Sequence, residues 1–353
     1  MTFKPATRGR EHSEPMMPVI DPAGWFPEDM IGTNEWIYTL SDTEILEILG
    51  AVDALKEDGK TVLDVTRENF ILPVFDQRLS ILRDELLHGR GFFLLRGLPI
   101  EDMSPESAAM AFWGLGTRFG RFVSQNAKGH MLGHVKDFGG DYSDPKVRGY
   151  QTAAQMSYHS DQCDNVWLMC IQPAKSGGES LISSTVTIYN EMLRTRPELA
   201  EALIGDFYQT KHGEISEGED PFYKLPVFSF KDGFFSGRGA GIHLLKALDL
   251  PGVPPATKNQ KEAFPYFQKL ANKFSFPTHF QKGDIQVLHS HVTVHTRTAF
   301  QDFEELEKKR HLMRLWVVDE NGRSLVPGFR ENFSGIEMPG VEHTAPLNVF
   351  EAA

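Results

Sequence analysis

The chain of 353 residues has only two cysteines, Cys163 and Cys170. Two thiols cannot make the disulfide framework of a small secreted domain, so both are expected reduced and partly buried, in a reducing cytoplasm. Positive charge is also scarce: 36 Lys and Arg stand against 48 Asp and Glu, a net charge of −12. No basic run interrupts that balance, which argues against nucleic acid or an anionic membrane surface as partner. No apolar run approaches the ~20 residues that span a bilayer. The opening MTFKPATRGREHSEPMMPVIDPAGW lacks the apolar core of a secretory leader, so none is expected. Internal repeats, long charge runs and evident linkers are missing too. Residues 1–35, rich in Pro, Gly and charge, read as an extended arm, and residues 36–353 as one domain. What is left is an ordinary globular composition, 41% hydrophobic and 11% aromatic, able to build a large core. A homo-oligomer is compatible with it.

The first third reads as helical. Ser41-Asp42-Thr43-Glu44 is a capping box, and Ile45, Ile48, Leu49, Val52 and Leu55 follow at helical spacing. A second helix is expected from about Pro73 to His88, with Phe75, Leu79, Leu82 and Leu86 on one face. Phe92 to Leu95 then form a short apolar run between glycines, a buried strand. Ser104-Pro105 opens a third helix reaching about Gly116, with Ser as cap and Pro at the first helical position.

From about residue 150 the texture changes to short β-prone runs: VWLMCIQ, SLISS, PVFSF, FSFPTHF, IQVLHSHVTVHT and HLMRLWVVD. Helices near 187–204 and 258–273 interrupt them. Many short strands with sparse helices predict a mainly β fold with added helices, a double-sheet jelly roll rather than a parallel α/β sheet.

Within this half, SYHSDQCDN contains His159-Ser160-Asp161. Thirteen His and 48 acidic residues give roughly two His-x-acid triplets by chance. The chain has three, His12-Ser13-Glu14, His159-Ser160-Asp161 and His212-Gly213-Glu214, so the triplet alone decides nothing. Its context does more. Two His and one carboxylate on one face hold iron(II) while leaving positions open for a chelating 2-oxo acid and O2. Alternation on an extended segment puts His159 and Asp161 on one side. HSHVTVHTRTAF offers His289, His291 and His295 as the distal ligand by the same alternation, with a solvated or pore-lining face as the bland alternative.

A 2-oxoglutarate enzyme also needs a cation for the far carboxylate, and Arg meets carboxylate through a bidentate fork. In KKRHLMRLWVV, Arg310 and Arg314 are four apart on one strand face. Arg in an apolar strand is costly unless paired. Leu315, Trp316, Val317 and Val318 speak against a merely solvated strand.

YHSD, then GGESLISS, then HTRTAF, then RHLMRLWV, in that order and with GRGFFLLRGLP upstream, resemble the taurine/2,4-dichlorophenoxyacetate dioxygenase (TauD/TfdA-like) family over roughly residues 70–320. No single piece is specific; the ordered set is. The resemblance implies a double-stranded β-helix (jelly-roll) core of the clavaminate synthase-like kind, with Fe(II), 2-oxoglutarate as cosubstrate, and O2. It implies His159, Asp161 and His295 as metal ligands, His295 because it opens His-x-Arg-Thr-Ala-Phe. Ser180 stands where relatives commonly have Thr on the cosubstrate's C5 carboxylate, and Arg310 matches the Arg that pairs with that carboxylate. Arg314 matches a second Arg that assists it or grips an anionic substrate, and Gln155 sits where an amide often contacts substrate.

Two departures stand out. Relatives often carry paired Asn before the distal His, where this chain has His289-Ser290, and the spacing from His295 to Arg310 is long. The expected reaction is oxidation of a C–H bond, hydroxylation by default, of a small anionic or zwitterionic substrate, with release of succinate and CO2. A zinc hydrolase or cupin-type isomerase on a similar fold would not need Arg310 with Ser180. A non-catalytic binding protein would not need the intact ligand set.

Overall fold

In the computed structural model, which describes residues 3–6, 9–139, 152–153, 155–211, 218, 220–239, 243–248 and 250–348, helices start where their caps stand. The Ser41 hydroxyl accepts from the Glu44 amide and Glu44 reaches back to the Ser41 amide, opening the helix Asp42–Glu57. Helices Phe75–His88, Pro105–Gly116 and Lys258–Lys273 follow as the spacing predicts. The helix expected near 187–204 is two helices, Thr185–Thr195 and Pro197–Ile204. Pro197 has no N–H and drives Arg196 out of helical geometry, to φ −147° and ψ 66°.

Two sheets form the centre. The seven-stranded sheet runs Ile37–Thr39, Phe92–Arg96, Ile285–His289, Asn165–Gln172, His311–Val318 and Arg121–Phe122, with Gly133–Lys136 also paired to His311–Val318. Facing it, Ser180–Ser184 lies between Ser275–Thr278 and Thr293–Arg297. This pair of sheets is the double-stranded β-helix. Its interior is lined by Leu94, Val166, Leu168, Leu288, Leu312 and Trp316 from the large sheet, against Ile182 and Phe276. The other face of the large sheet, including Phe93, Trp167, Val287, Met313 and Leu315, packs on the N-terminal helices. Burial on both faces explains why HLMRLWVV is nearly continuously apolar, and it turns positions 312, 314, 316 and 318 inward.

The run IQVLHSHVTVHT is not one strand, which corrects the alternation read from it. Ile285–His289 belongs to the large sheet and Thr293–Arg297 to the small one, with the chain crossing over between them. His289 and His291 therefore do not share a strand face with His295.

The N-terminal segment packs into this frame. Val19, Ala23, Trp25 and Met30 are buried, and Trp25 Nε1 donates to the Arg90 carbonyl at 3.0 Å. Asp21 Oδ2 meets Arg10 at 2.7 Å and Arg323 at 2.6 Å, out of solvent. Burial would raise the Asp21 carboxyl, but Arg323 and Arg10 hold it below the usual carboxylate range.

Candidate active site

His159 and His295 meet at the seam of the small sheet. The His159 amide donates to the His295 carbonyl at 3.0 Å, and the His295 amide returns the bond at 2.9 Å. This reciprocal pairing sets the two rings 4.5 Å apart. Asp161, two residues on, turns its carboxylate to the same side. One ligand atom from each of His159, Asp161 and His295 lies within 4.8 Å of the others.

Neighbouring groups orient all three. His159 Nδ1 faces the Ser157 carbonyl at 2.9 Å and must donate to it, which leaves Nε2 with its lone pair for a metal. Asp161 Oδ1 accepts from Arg314 Nη1 at 3.1 Å, while its buried Oδ2 has no hydrogen-bond partner and stands 3.5 Å from His295 Nε2. Burial would raise the Asp161 carboxyl, but Arg314, His295 and His159 keep it low and ionised. Burial, with His159 beside it, pushes His295 down to about 3, so its ring is neutral, as a ligand must be. Two imidazole nitrogens and one orphaned carboxylate oxygen fit a divalent cation such as iron(II).

These groups line a cavity of about 50 Å³ together with Ser180, Arg297, Arg310 and Arg314. Val135, Met156, Leu168, Phe280 and Leu312 make most of the rest of its wall apolar. Arg310 is buried; its Nη2 donates to the Gly178 carbonyl at 3.3 Å, its guanidinium lies over Phe300, and its Nη1 has no partner. Burial lowers it to about 10, which leaves it charged near neutrality. Ser180 Oγ donates to Gln286 Oε1 at 2.8 Å. Arg314 Nε donates to Gln125 Oε1 at 2.7 Å, and Gln125 Nε2 returns a bond to the Arg314 carbonyl at 2.8 Å.

The other sequence candidates fall elsewhere. Gln155 is exposed, and its neighbour Met156 lines the cavity instead. His291 is spent on Asp164, at 2.7 Å, and His289 is buried outside the cluster. His12 and Glu14 are exposed, and the His212-Gly213-Glu214 triplet lies outside the described residues. Three site neighbours escaped the sequence reading. Arg297 had a signal, since it follows His295 by two on one strand. Gln125 and Gln286 had none, because they reach Arg314 and Ser180 across 189 and 106 residues.

The family described as taurine catabolism dioxygenase TauD, TfdA family matches residues 58–316. The chain belongs to this family. It is thus an iron(II)- and 2-oxoglutarate-dependent oxygenase, an oxidoreductase. The FR-33289 synthase of Streptomyces rubellomurinus is 31% identical over 315 residues, covering 87% of this chain and 92% of that protein. A taurine hydroxylase-like protein of Stachybotrys chartarum, SAT17, is 26% identical over 313 residues, covering 85% and 80%. The fold of this TauD-family oxygenase is similar to that of an asparagine oxygenase crystallised with Fe(II), 3-hydroxyasparagine and succinate. That match has a TM-score of 0.65 at 17% identity, over 80% of this chain and 93% of that one. It is also similar to the non-heme iron oxygenase OrfP with Fe and alpha-ketoglutaric acid, at a TM-score of 0.60 and 15% identity, over 80% and 94%. Among the described residues no helix is long and apolar enough to cross a membrane, and both cysteines are free and buried.

Behind Arg310 the oxygenase carries a buried histidine pair. His134 Nε2 faces the Pro346 carbonyl at 2.8 Å and must donate to it, so its Nδ1 accepts from His311 Nε2 at 2.7 Å. A further proton on His134 Nδ1 would set N–H against N–H. Burial, with His134 adjacent, holds His311 down to about 3, and burial also lowers His134. A folded pKa below the unfolded value of ~6.5 means that the unfolded chain binds the extra proton. Stability from this pair is thus complete above about pH 6.5 and is lost as pH falls toward 3. Urea midpoints are expected to drop between pH 7 and pH 5, with a shallower drop in His311→Gln. An unchanged slope in that variant would remove the pair from the account of acid sensitivity.

Proposed function

We propose that this oxygenase hydroxylates a C–H bond of a small anionic or zwitterionic molecule, with His159, Asp161 and His295 holding the iron and Arg310 with Ser180 holding the cosubstrate. The observation that carries the reading is one cavity containing both the ligand cluster and a buried arginine whose Nη1 has no partner. When bound, iron(II) supplies the redox chemistry by which substrate, 2-oxoglutarate and O2 become hydroxylated substrate, succinate and CO2.

The residues bind, orient and keep water out. Arg310 offers Nη1 to the C5 carboxylate, a charge-assisted bond. Ser180 adds a second contact once the Gln286 amide turns over, since Nε2 then donates to Ser180 Oγ and frees the hydroxyl proton for the carboxylate. Arg314 keeps Asp161 Oδ1 engaged, so that Oδ2 is the ligand atom. Held on its other side by Gln125, Arg314 carries a cationic face toward the cavity that suits an anionic substrate group. Leu168, Phe280 and Leu312 shield the reacting centre from water. The relatives' names point to the same substrate class, since taurine and asparagine are small zwitterions.

The direct experiment is a succinate-release screen of small acids and amino acids with Fe(II), ascorbate and 2-oxoglutarate. Substrate-dependent succinate is expected, and none with Zn(II), which binds such ligands but has no redox chemistry. Oxygen-independent hydrolysis supported by Zn(II) would overturn the reading.

A further inference from the structure

Three of the six buried arginines among the described residues are paired with a carboxylate. Arg118 has Asp76, Arg323 has Asp21 and Arg314 has Asp161, each within 3.1 Å. Arg310 and Arg238 have no ion-pair partner among the described residues. For Arg310 the proposed cosubstrate carboxylate explains the gap. Arg238 has the same gap and no ligand assigned to it.

Arg238 is 6% exposed, and its buried Nε and Nη1 have no hydrogen-bond partner. Its Nη2 donates to the Ser160 carbonyl at 3.3 Å and the Asp161 carbonyl at 2.8 Å, and the guanidinium lies over the Phe333 ring. The carboxylates of Asp161 and Asp164 act on it from beyond ion-pair range. Two carbonyl dipoles and a ring face compensate a buried cation only in part.

Arg238 opens on a cavity of about 30 Å³ whose wall includes Ser160, Gln162, Gln209, Tyr223 and Phe333. Ser160 lines this cavity while His159 and Asp161 line the other, so the two cavities lie on opposite faces of one three-residue segment. Gln162 Nε2 donates to the Tyr223 hydroxyl at 3.4 Å, which in turn donates its own proton to Gln209 Oε1 at 3.0 Å, so the second N–H of Gln162 is the further donor. One water-sized probe needs ~10–15 Å³. The volume therefore accommodates a monatomic anion.

We propose that Arg238, with Gln162, forms a second anion site behind the iron ligands that takes one halide-sized anion such as chloride. The anion completes the ion pair that the protein lacks there. Because the same guanidinium holds the carbonyls of Ser160 and Asp161, occupancy also steadies the segment that carries two of the proposed ligands.

The test uses the full chain loaded with Fe(II) under anaerobic conditions. Melting temperature is followed against chloride and bromide, with gluconate at equal ionic strength as control, and bromide is located by anomalous scattering in crystals. A saturable rise with either halide is expected, absent with gluconate, together with a bromide peak beside Arg238. Arg238→Met should abolish the rise. Should that variant not fold, Gln162→Leu decides: loss of one amide donor worth ~1 kcal/mol shifts the halide midpoint upward about fivefold. Equal responses to halide and gluconate would overturn the site. So would an unshifted midpoint in Gln162→Leu, or bromide density at crystal concentration without a saturable effect in solution.

Discussion

His295→Ala is expected to lose iron binding and all substrate-dependent succinate release while keeping the fold. The ring lies at the edge of a cavity rather than in a packed cluster, and its strand is held by backbone bonds to Ser180–Ser184 that the substitution leaves in place. His159→Ala should behave alike, although it also abandons the bond to the Ser157 carbonyl. The loss in affinity should exceed the ~10–100-fold that follows removal of an outer-shell partner. His291→Gln is the contrasting case. Asp164 also accepts from the Asp319 amide at 2.9 Å and Arg330 at 2.8 Å, and Gln can replace the third donor, so iron should remain. Iron content after anaerobic loading, with circular dichroism as a folding control, measures all three. Iron lost in His291→Gln and kept in His295→Ala would reverse the assignment of the distal ligand.

Arg310→Leu should raise the 2-oxoglutarate requirement by more than a hundredfold, because truncating one member of a buried ion pair costs on the order of 3 kcal/mol. Leu fits the apolar surroundings, so the effect should fall on the cosubstrate and leave iron affinity near the wild-type value. Ser180→Ala should act in the same direction but by ~1 kcal/mol, the scale of one hydroxyl hydrogen bond. Arg314→Leu should differ in kind. It removes the donor on Asp161 Oδ1 and the cationic face near the cavity, so substrate turnover should fall while uncoupled 2-oxoglutarate decarboxylation persists in part. Titration of the visible band of the anaerobic Fe(II)–2-oxoglutarate complex separates the three variants. Equal losses of 2-oxoglutarate affinity in Arg310→Leu and Arg314→Leu, with substrate binding unchanged, would assign both arginines to the cosubstrate.

Much of the site was legible because its signals are local. A period of two puts His159 with Asp161 and Arg310 with Arg314 on common faces, and the cavity has all four in its wall. Capping chemistry located the helices at Ser41 and Ser104 for the same reason, since a cap acts within one turn. Local signals failed where the chain changes sheets. In HSHVTVH the alternation of His289, His291 and His295 is real in the sequence, yet the crossover at 290–292 separates the first two from the third. Period two has meaning only while one strand continues.

By itself, then, the sequence determined the jelly-roll class, the residue types able to hold iron(II) and a carboxylate, and the ordered motifs of the family. Tertiary structure decided which histidine joins His159 and Asp161, because only the backbone bridge between 159 and 295 brings their rings together. It also decided the partners that tune the site: Gln125 on Arg314, Gln286 on Ser180, and the lone Arg238 behind the ligand segment. Those contacts join residues separated by 77 to 189 positions. No periodicity within one element can encode them, since they arise only when two sheets close on each other.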